Sequence, residues 1–339
     1  MRILVLHAWL KGNLGDVLQL SVLLSALREL KPRVLDLAGH PAQPAGATAE
    51  VLRLADRYLP DTFPWYWKLS PPAVGRAVLE PWWRARRRAF FARYDAIVCA
   101  PGPYLADYDA RVTSALCDID VAADLGRPLV LSSHSIGPLQ SDGLAEVGRA
   151  TVRIAREPAT LDYLTERGIP AVSSADYAFL YPYGGIQGHE PIPPPYRLVF
   201  LRSNNLDGDR LKLENGALFD GLHQIAEPGD PLVLATSDVR RDGRFLARAA
   251  GSLGVRWVAC RSIEELVLLM RPASSVVSDR YHPAICAAAL GRPAQVLLNR
   301  EPHKMQGLKR LLAEHPLEEL QELARAGLRA VQDALRGCR

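Results

Sequence analysis

Sixteen residues near the middle of the chain, Tyr181 to Tyr196 (YPYGGIQGHEPIPPPY), carry five prolines and three glycines. Proline fixes φ and removes a backbone donor, so this stretch cannot continue a helix interior or a central strand. A chain of 339 residues also exceeds what one hydrophobic core usually organises. The expected division is a first domain over residues 1–182, a linker over 183–196, a second domain over 197–315 and a terminal helix over 316–339.

The same pattern runs on both sides of the proline-rich stretch. In the first half, Arg2–His7, Val34–Leu37, Asp95–Cys99 and Pro128–Ser132 read as buried strands, with a helix over Val17–Leu30. Pro41–Trp83 gives no clean periodicity, and only scattered helix is expected there. In the second half, strands are expected at Arg197–Leu201, Pro231–Ala235, Arg256–Val258, Ser275–Val277 and Val296–Leu298. Helices are expected at Gly216–Ala226, Gly243–Gly251, Glu264–Met270 and Leu317–Leu335. Alternation at this spacing predicts an α/β fold. Its expected form is two Rossmann-like domains whose parallel sheets face each other across a cleft, in a glycosyltransferase-B-like arrangement with a C-terminal helix.

Composition narrows the class. Hydrophobic residues make up 48% and charged residues 23% of the chain, the balance of a globular protein. Forty-one basic against 37 acidic residues is too mild an excess to indicate nucleic acid as a partner. The densest basic patch is Arg84–Arg93, beside Trp82 and Trp83. Five scattered cysteines, with no CxxC spacing, argue against a disulfide framework or zinc cluster and for a reducing compartment. The N-terminus reads as a first strand rather than a signal peptide, and no run reaches the roughly 18 apolar residues of a membrane span. The expected location is therefore cytoplasmic, with contact at the inner face of the membrane left open. Trp65, Trp67, Trp82 and Trp83 could stack on sugars, be buried, or meet a lipid interface.

The chemistry-bearing residues cluster after strands. Arg280 and His282, in Ser278-Asp-Arg-Tyr-His-Pro-Ala-Ile285, fall between an expected strand and a small-residue helix whose start Pro283 marks. Ligands of open α/β sheets bind at such strand ends, and a helix N-terminus favours an anion. Arg202 follows RLVFL beside Ser203-Asn-Asn205, and two guanidiniums can hold a phosphate and a carboxylate in bidentate fashion. Lys304 follows a further strand in Glu301-Pro-His-Lys304, where His303 reads as a solvated loop residue. Gly12-Asn-Leu-Gly-Asp16, after the first strand, is either a ligand-approach loop supplied by Asn13 and Asp16 or a tight turn with Asp16 as helix cap. It is not the GxGxxG dinucleotide fingerprint. His7 and His134 are acceptor-side candidates, although a hydrogen-bonded structural histidine is the plainer reading of each. Arg156 and Glu157 could pair with each other, and Asp176 could cap a turn or face the cleft.

Taken in order, GNLGD, APGPYL (100–105), SIGP (135–138), REPATLDYLTERGI (156–169), SADYAF (174–179), RLVFLR (197–202) and SDRYHPAICAAALGRP (278–293) resemble the polysaccharide pyruvyl transferase family. Pro101 and Pro103 depart from the family's glycine-rich turn, and the aromatic segment from Pro60 to Arg93 has no counterpart in the pattern. The resemblance implies a transferase that moves the pyruvyl group of phosphoenolpyruvate onto two hydroxyls of a glycan or lipid-linked saccharide of the cell envelope, forming a cyclic ketal. It implies donor binding mainly by the second domain, with Arg202, Arg280 and Lys304 on phosphoenolpyruvate and His282 as the catalytic acid. Asn13, Asp16 and His134 would stand on the acceptor side. The scheme calls for no cofactor or metal. A nucleotide-sugar glycosyltransferase of the same fold and a non-catalytic glycan-binding or envelope assembly protein are the alternatives.

Overall fold

A computed structural model describes residues 1–8, 13–36, 50–53, 72–102, 104–107, 112–202, 230–297 and 302–337. Among the sequence expectations, the helix at 216–226, Ser203–Asn205, Trp65, Trp67, Pro103 and Glu301 lie outside these residues.

The chain forms two compact units. The first comprises Met1–Lys11, Gln19–Tyr177 and Glu318–Arg339, and the second Gly12–Leu18 and Ala178–Leu317. In the first unit the strands are β1 (Ile3–Ala8), β2 (Arg33–Asp36), β3 (Glu50–Arg53), β4 (Ala96–Cys99), β5 (Tyr104–Leu105), β6 (Leu129–Ile136), β7 (Val152–Ala155) and β8 (Val172–Ser173). They run parallel in the order β3-β2-β1-β4-β6-β7-β8, with β5 beside β6. Every residue of β1, β4 and β6 is buried. Burial on both faces is why these segments read as continuous apolar runs rather than alternating ones.

The second unit holds β9 (Arg197–Phe200), β10 (Leu232–Thr236), β11 (Arg256–Ala259), β12 (Ser275–Ser278) and β13 (Ala294–Val296), parallel in the order β11-β10-β9-β12-β13. Val199, Leu234, Leu246 and Val277 centre its core. Burial of each such side chain stabilises by about 1.5–3 kcal/mol. The order reverses between β9 and β12, and the first sheet reverses in the same way between β1 and β4. Such reversals open the crevice in which doubly wound folds place ligands.

Three local expectations need correction. The region 41–83 was expected to hold only scattered helix, yet one helix spans Pro72–Phe91 and includes Trp82, Trp83 and most of the basic patch. Its buried face is Trp83, Arg87, Phe90 and Phe91. The buried arginine hides the apolar period: Arg87 lies 3.3 Å from Asp118, with its guanidinium 4.9 Å from the Trp83 ring centre. Second, β13 ends at Val296 instead of beginning there. Third, the helix after β12 starts at Tyr281, two residues before Pro283. A proline is tolerated in a first turn, where its missing N–H has no partner in the helix.

Residues 183–196, the expected linker, pack on the second unit. Arg271 donates to the carbonyls of Tyr183 and Ile186, each at 3.0 Å, and the Tyr196 hydroxyl donates to Leu269 O.

The terminal helix, Leu317–Arg336, belongs to the first unit from Glu318 onward and buries Leu320, Ala324, Gly327, Val331 and Leu335. Gly327 lets it come close: a Cβ there would stand 2.2 Å from Ser174 Oγ. Gln332 Nε2 donates to Ala26 O at 3.0 Å.

Candidate functional site

The switch point of the second sheet places Arg202 and Arg280. Phe200 and Ser278 are register partners on β9 and β12, and each arginine stands two residues beyond its partner. The turn between them is tied: Asp279 N donates to Phe200 O at 3.1 Å, and Arg202 N donates to Asp279 Oδ1 at 2.9 Å. Ser278 Oγ accepts from Arg280 N at 2.9 Å and donates to Arg280 O at 2.8 Å.

Arg280 itself is buried. One terminal nitrogen is bonded to the Asp242 carboxylate and lies 3.8 Å from Asp238, while its Nε has no hydrogen-bond partner in the structure. Burial lowers its pKa. Asp238 and Asp16 favour the charged form, and Arg202 and Arg241 oppose it. Arg202, Arg241, Asp16, Asp238 and Arg280 therefore share one electrostatic neighbourhood. Asp238, Arg241 and Asp242 were not singled out from the sequence. The available signal was Thr236-Ser-Asp238, which ends β10 and caps the helix Val239–Leu253 through a bond from Arg241 N to Asp238 Oδ1 at 3.3 Å.

The GNLGD loop lies in this same unit, although its place after β1 had suggested the first half. Leu14 N donates to Ser237 O at 3.1 Å, at the end of β10. The helix cap is Asn13 rather than Asp16: Asn13 Oδ1 accepts from Gly15 N at 3.2 Å. Asn13 Nδ2 in turn donates to Asp16 Oδ2 at 2.8 Å, which fixes the carboxylate beside the first turn. Gly15 is the residue that meets His282. A Cβ built on it would lie 2.0 Å from His282 Nδ1 and 2.1 Å from Cγ. His282 is buried in the first turn of Tyr281–Ala289, and its ring makes an edge contact with Tyr281. Lys304 lies one layer out, 5.2 Å from the centre of the Tyr281 ring. His303 is exposed in the helix Pro302–Glu314 instead of in a loop.

In the first unit, His7 and His134 lie near the carboxyl ends of the parallel strands β1 and β6. Both strands are irregular there, with φ of 60° at His7 and 49° at Ser133. Such backbone is costly for residues other than glycine. His134 Nδ1 bonds to Ser132 O at 3.0 Å, so it is the donor nitrogen, and Nε2 has no hydrogen-bond partner. Burial, with the charges of His7 and Arg156, lowers the pKa of His134 to about 3. His7 Nε2 lies 3.3 Å from Asp118 Oδ2. Burial opposes its charge, but Cys99 and Asp118 outweigh it and raise its pKa to about 10. Arg156 pairs with Glu157 and also with Asp176, each at 3.2 Å, in the buried core.

Cys99, Cys117, Cys260 and Cys286 are free thiols. Among the described residues there is no group of three or more metal-ligating side chains.

The family model for polysaccharide pyruvyl transferases matches residues 13–300. No curated protein matches the chain. Among solved structures, a UDP-GlcNAc 2-epimerase from Methanocaldococcus jannaschii, in complex with UDP-GlcNAc and UDP, aligns over 99% of this chain and 100% of its own, with a TM-score of 0.60 at 12% identity. A putative UDP-N-acetylglucosamine 2-epimerase from Listeria monocytogenes aligns over 99% and 95%, with a TM-score of 0.58 at 11% identity. A glycosyltransferase from Rickettsia africae aligns over 99% and 98%, with a TM-score of 0.53 at 10% identity. At these identities the likeness is one of fold: α/β, with two parallel sheets and a C-terminal helix, of the glycosyltransferase-B-like type.

Proposed function

The chain belongs to the polysaccharide pyruvyl transferase family, and from that premise we propose that it transfers the pyruvyl group of phosphoenolpyruvate to two hydroxyls of a cell-envelope glycan or its lipid-linked precursor. The observation that carries this reading is the meeting of His282 with the Gly15 backbone, next to Arg280 and Arg202 at the switch point of the second sheet.

In this reading the arginines hold the donor's phosphate and carboxylate, and Arg280 Nε keeps a donor that its carboxylate partners do not occupy. Lys304 adds positive charge at one remove. His282, as an imidazolium, delivers a proton to the methylene carbon of phosphoenolpyruvate, which makes the adjacent carbon electrophilic. One acceptor hydroxyl attacks that carbon and loses its proton, the C–O bond to phosphate breaks, and a second hydroxyl closes the ketal. General acid catalysis of this kind typically contributes about 10²- to 10⁴-fold, and preorganised guanidiniums stabilise the departing phosphate. The Asp16 carboxylate held by Asn13 is the group proposed to accept the hydroxyl hydrogens.

The test is incubation with phosphoenolpyruvate and a panel of saccharides. Phosphate release matched by a mass gain on the acceptor is expected, and His282→Ala should abolish both. A second donor class is raised by the nucleotide sugar bound in the archaeal structure of like fold. Thermal stabilisation by a UDP-sugar but not by phosphoenolpyruvate would replace the first reading with that one.

A further inference from the structure

The inner face of the helix Pro72–Phe91 carries polar atoms that the transfer reaction does not use. Trp83 and Arg87 are fully buried there. Trp83 Nε1 and all three guanidinium nitrogens of Arg87 have no hydrogen-bond partner. The guanidinium lies 4.9 Å over the Trp83 ring and 5.9 Å over that of Phe91, the residues one helical turn to either side.

The carboxylate beside Arg87 is divided between two cationic groups. Asp118 Oδ1 stands 3.3 Å from Arg87 Nε, outside hydrogen-bond geometry, while Oδ2 lies 3.3 Å from His7 Nε2. Asp118 thus approaches the guanidinium through Nε, and the terminal nitrogens Nη1 and Nη2 keep their donors. A buried guanidinium with unmade hydrogen bonds is strongly unfavourable. The unspent groups on this helix face are donors alone, so an acceptor completes them.

We propose that Arg87 and Trp83 form a buried site for a small, planar, monovalent oxyanion of the carboxylate or nitrate class. The N–H groups of a guanidinium lie in one plane, as a fork that matches two oxygens of such an ion. The indole N–H supplies a further donor, and complete burial restricts the ion to a few heavy atoms. Water accepts the same hydrogen bonds but brings no counter-charge. An ion held here adds its binding free energy to the stability of the first unit. This inference does not depend on the donor or acceptor of the transfer reaction.

The test is thermal unfolding of the full chain, without phosphoenolpyruvate, titrated with formate, nitrate or sulfate at fixed ionic strength. Formate and nitrate should raise the unfolding temperature along a saturating curve, by about 5 °C at roughly one hundred times the dissociation constant. Arg87→Lys keeps a cation but loses the fork, and should weaken formate by about tenfold. Trp83→Phe keeps an aromatic ring but loses the N–H, and should weaken it by about fivefold. Calorimetric titration of formate repeats the comparison on folded protein. Where Arg87→Lys does not fold, the Trp83→Phe titration decides.

Absence of a saturating response to formate and nitrate would overturn the proposal and leave water as the partner of these donors. A formate affinity unchanged in Trp83→Phe or in folded Arg87→Lys would place the ion elsewhere and overturn it too. So would an equal response to sulfate that the same variants remove.

Discussion

A β-carbon on Gly15 would stand 2.0 Å from Nδ1 of His282, closer than any side-chain contact allows. The glycine of the first-helix turn and the histidine of a distant strand-to-helix turn therefore define one feature of the second unit. Gly15→Ala is expected to move the imidazole and to lower kcat by about 100-fold, the cost of misplacing a reacting group by an ångström. Steady-state kinetics with phosphoenolpyruvate would measure this, and circular dichroism would verify the fold. An alanine variant with wild-type kcat would remove His282 from the chemistry.

Asp242 holds Arg280 where neither is exposed. Asp242→Asn should leave the guanidinium short of a buried partner and destabilise the protein by about 3–5 kcal/mol, read from urea unfolding. A loss below about 1 kcal/mol, the value of an exposed pair, would mean that Asp238 or solvent compensates.

His134 and His7 give stability opposite pH dependences. The folded pKa of His134 is depressed to about 3 from 6.5, so its contribution is present above pH 6.5 and is lost as pH falls through that window, because the unfolded chain takes up the proton. The folded pKa of His7 is raised to about 10 from 6.5, so its contribution is full below pH 6.5 and is lost as pH rises toward 10. Each limb has a limiting slope of about 1.4 kcal/mol per pH unit. Denaturant unfolding across pH should show His134→Asn flattening the acid limb and His7→Asn the alkaline one. Limbs unaltered by these changes would assign the dependence to other groups.

Gly327 is the close-approach point of the terminal helix. Gly327→Ala would press on Ser174 Oγ and stand 3.2 Å from Ile154 Cγ2, and a loss of about 1–3 kcal/mol is expected in chemical unfolding. An alanine variant as stable as the wild type would show that the helix shifts without cost.

The strand ends were legible because buried parallel strands leave unbroken apolar runs, and Arg202, Arg280 and His282 follow such runs directly. What stayed hidden were charges that folding takes inside. Arg87 breaks the apolar period of its helix although it faces the core, and Asp242 reads as a surface acid although it is fully buried against Arg280. The assignment of GNLGD to a unit was also out of reach, since sequence order ties it to β1 while its hydrogen bond runs to Ser237. Asn13 and Asp16 are both plausible helix caps by residue type, and only the bond from Gly15 N to Asn13 Oδ1 separates them.

The return of the chain to the first unit at Glu318 has a consequence for biosynthesis. A nascent chain that has already emitted β1 to β8 still lacks the helix that covers Ser174 and bonds Ala26. The earliest-made sheet is thus the last to be finished. Its unfinished surface is open to chaperones, or to aggregation, throughout synthesis of the second unit.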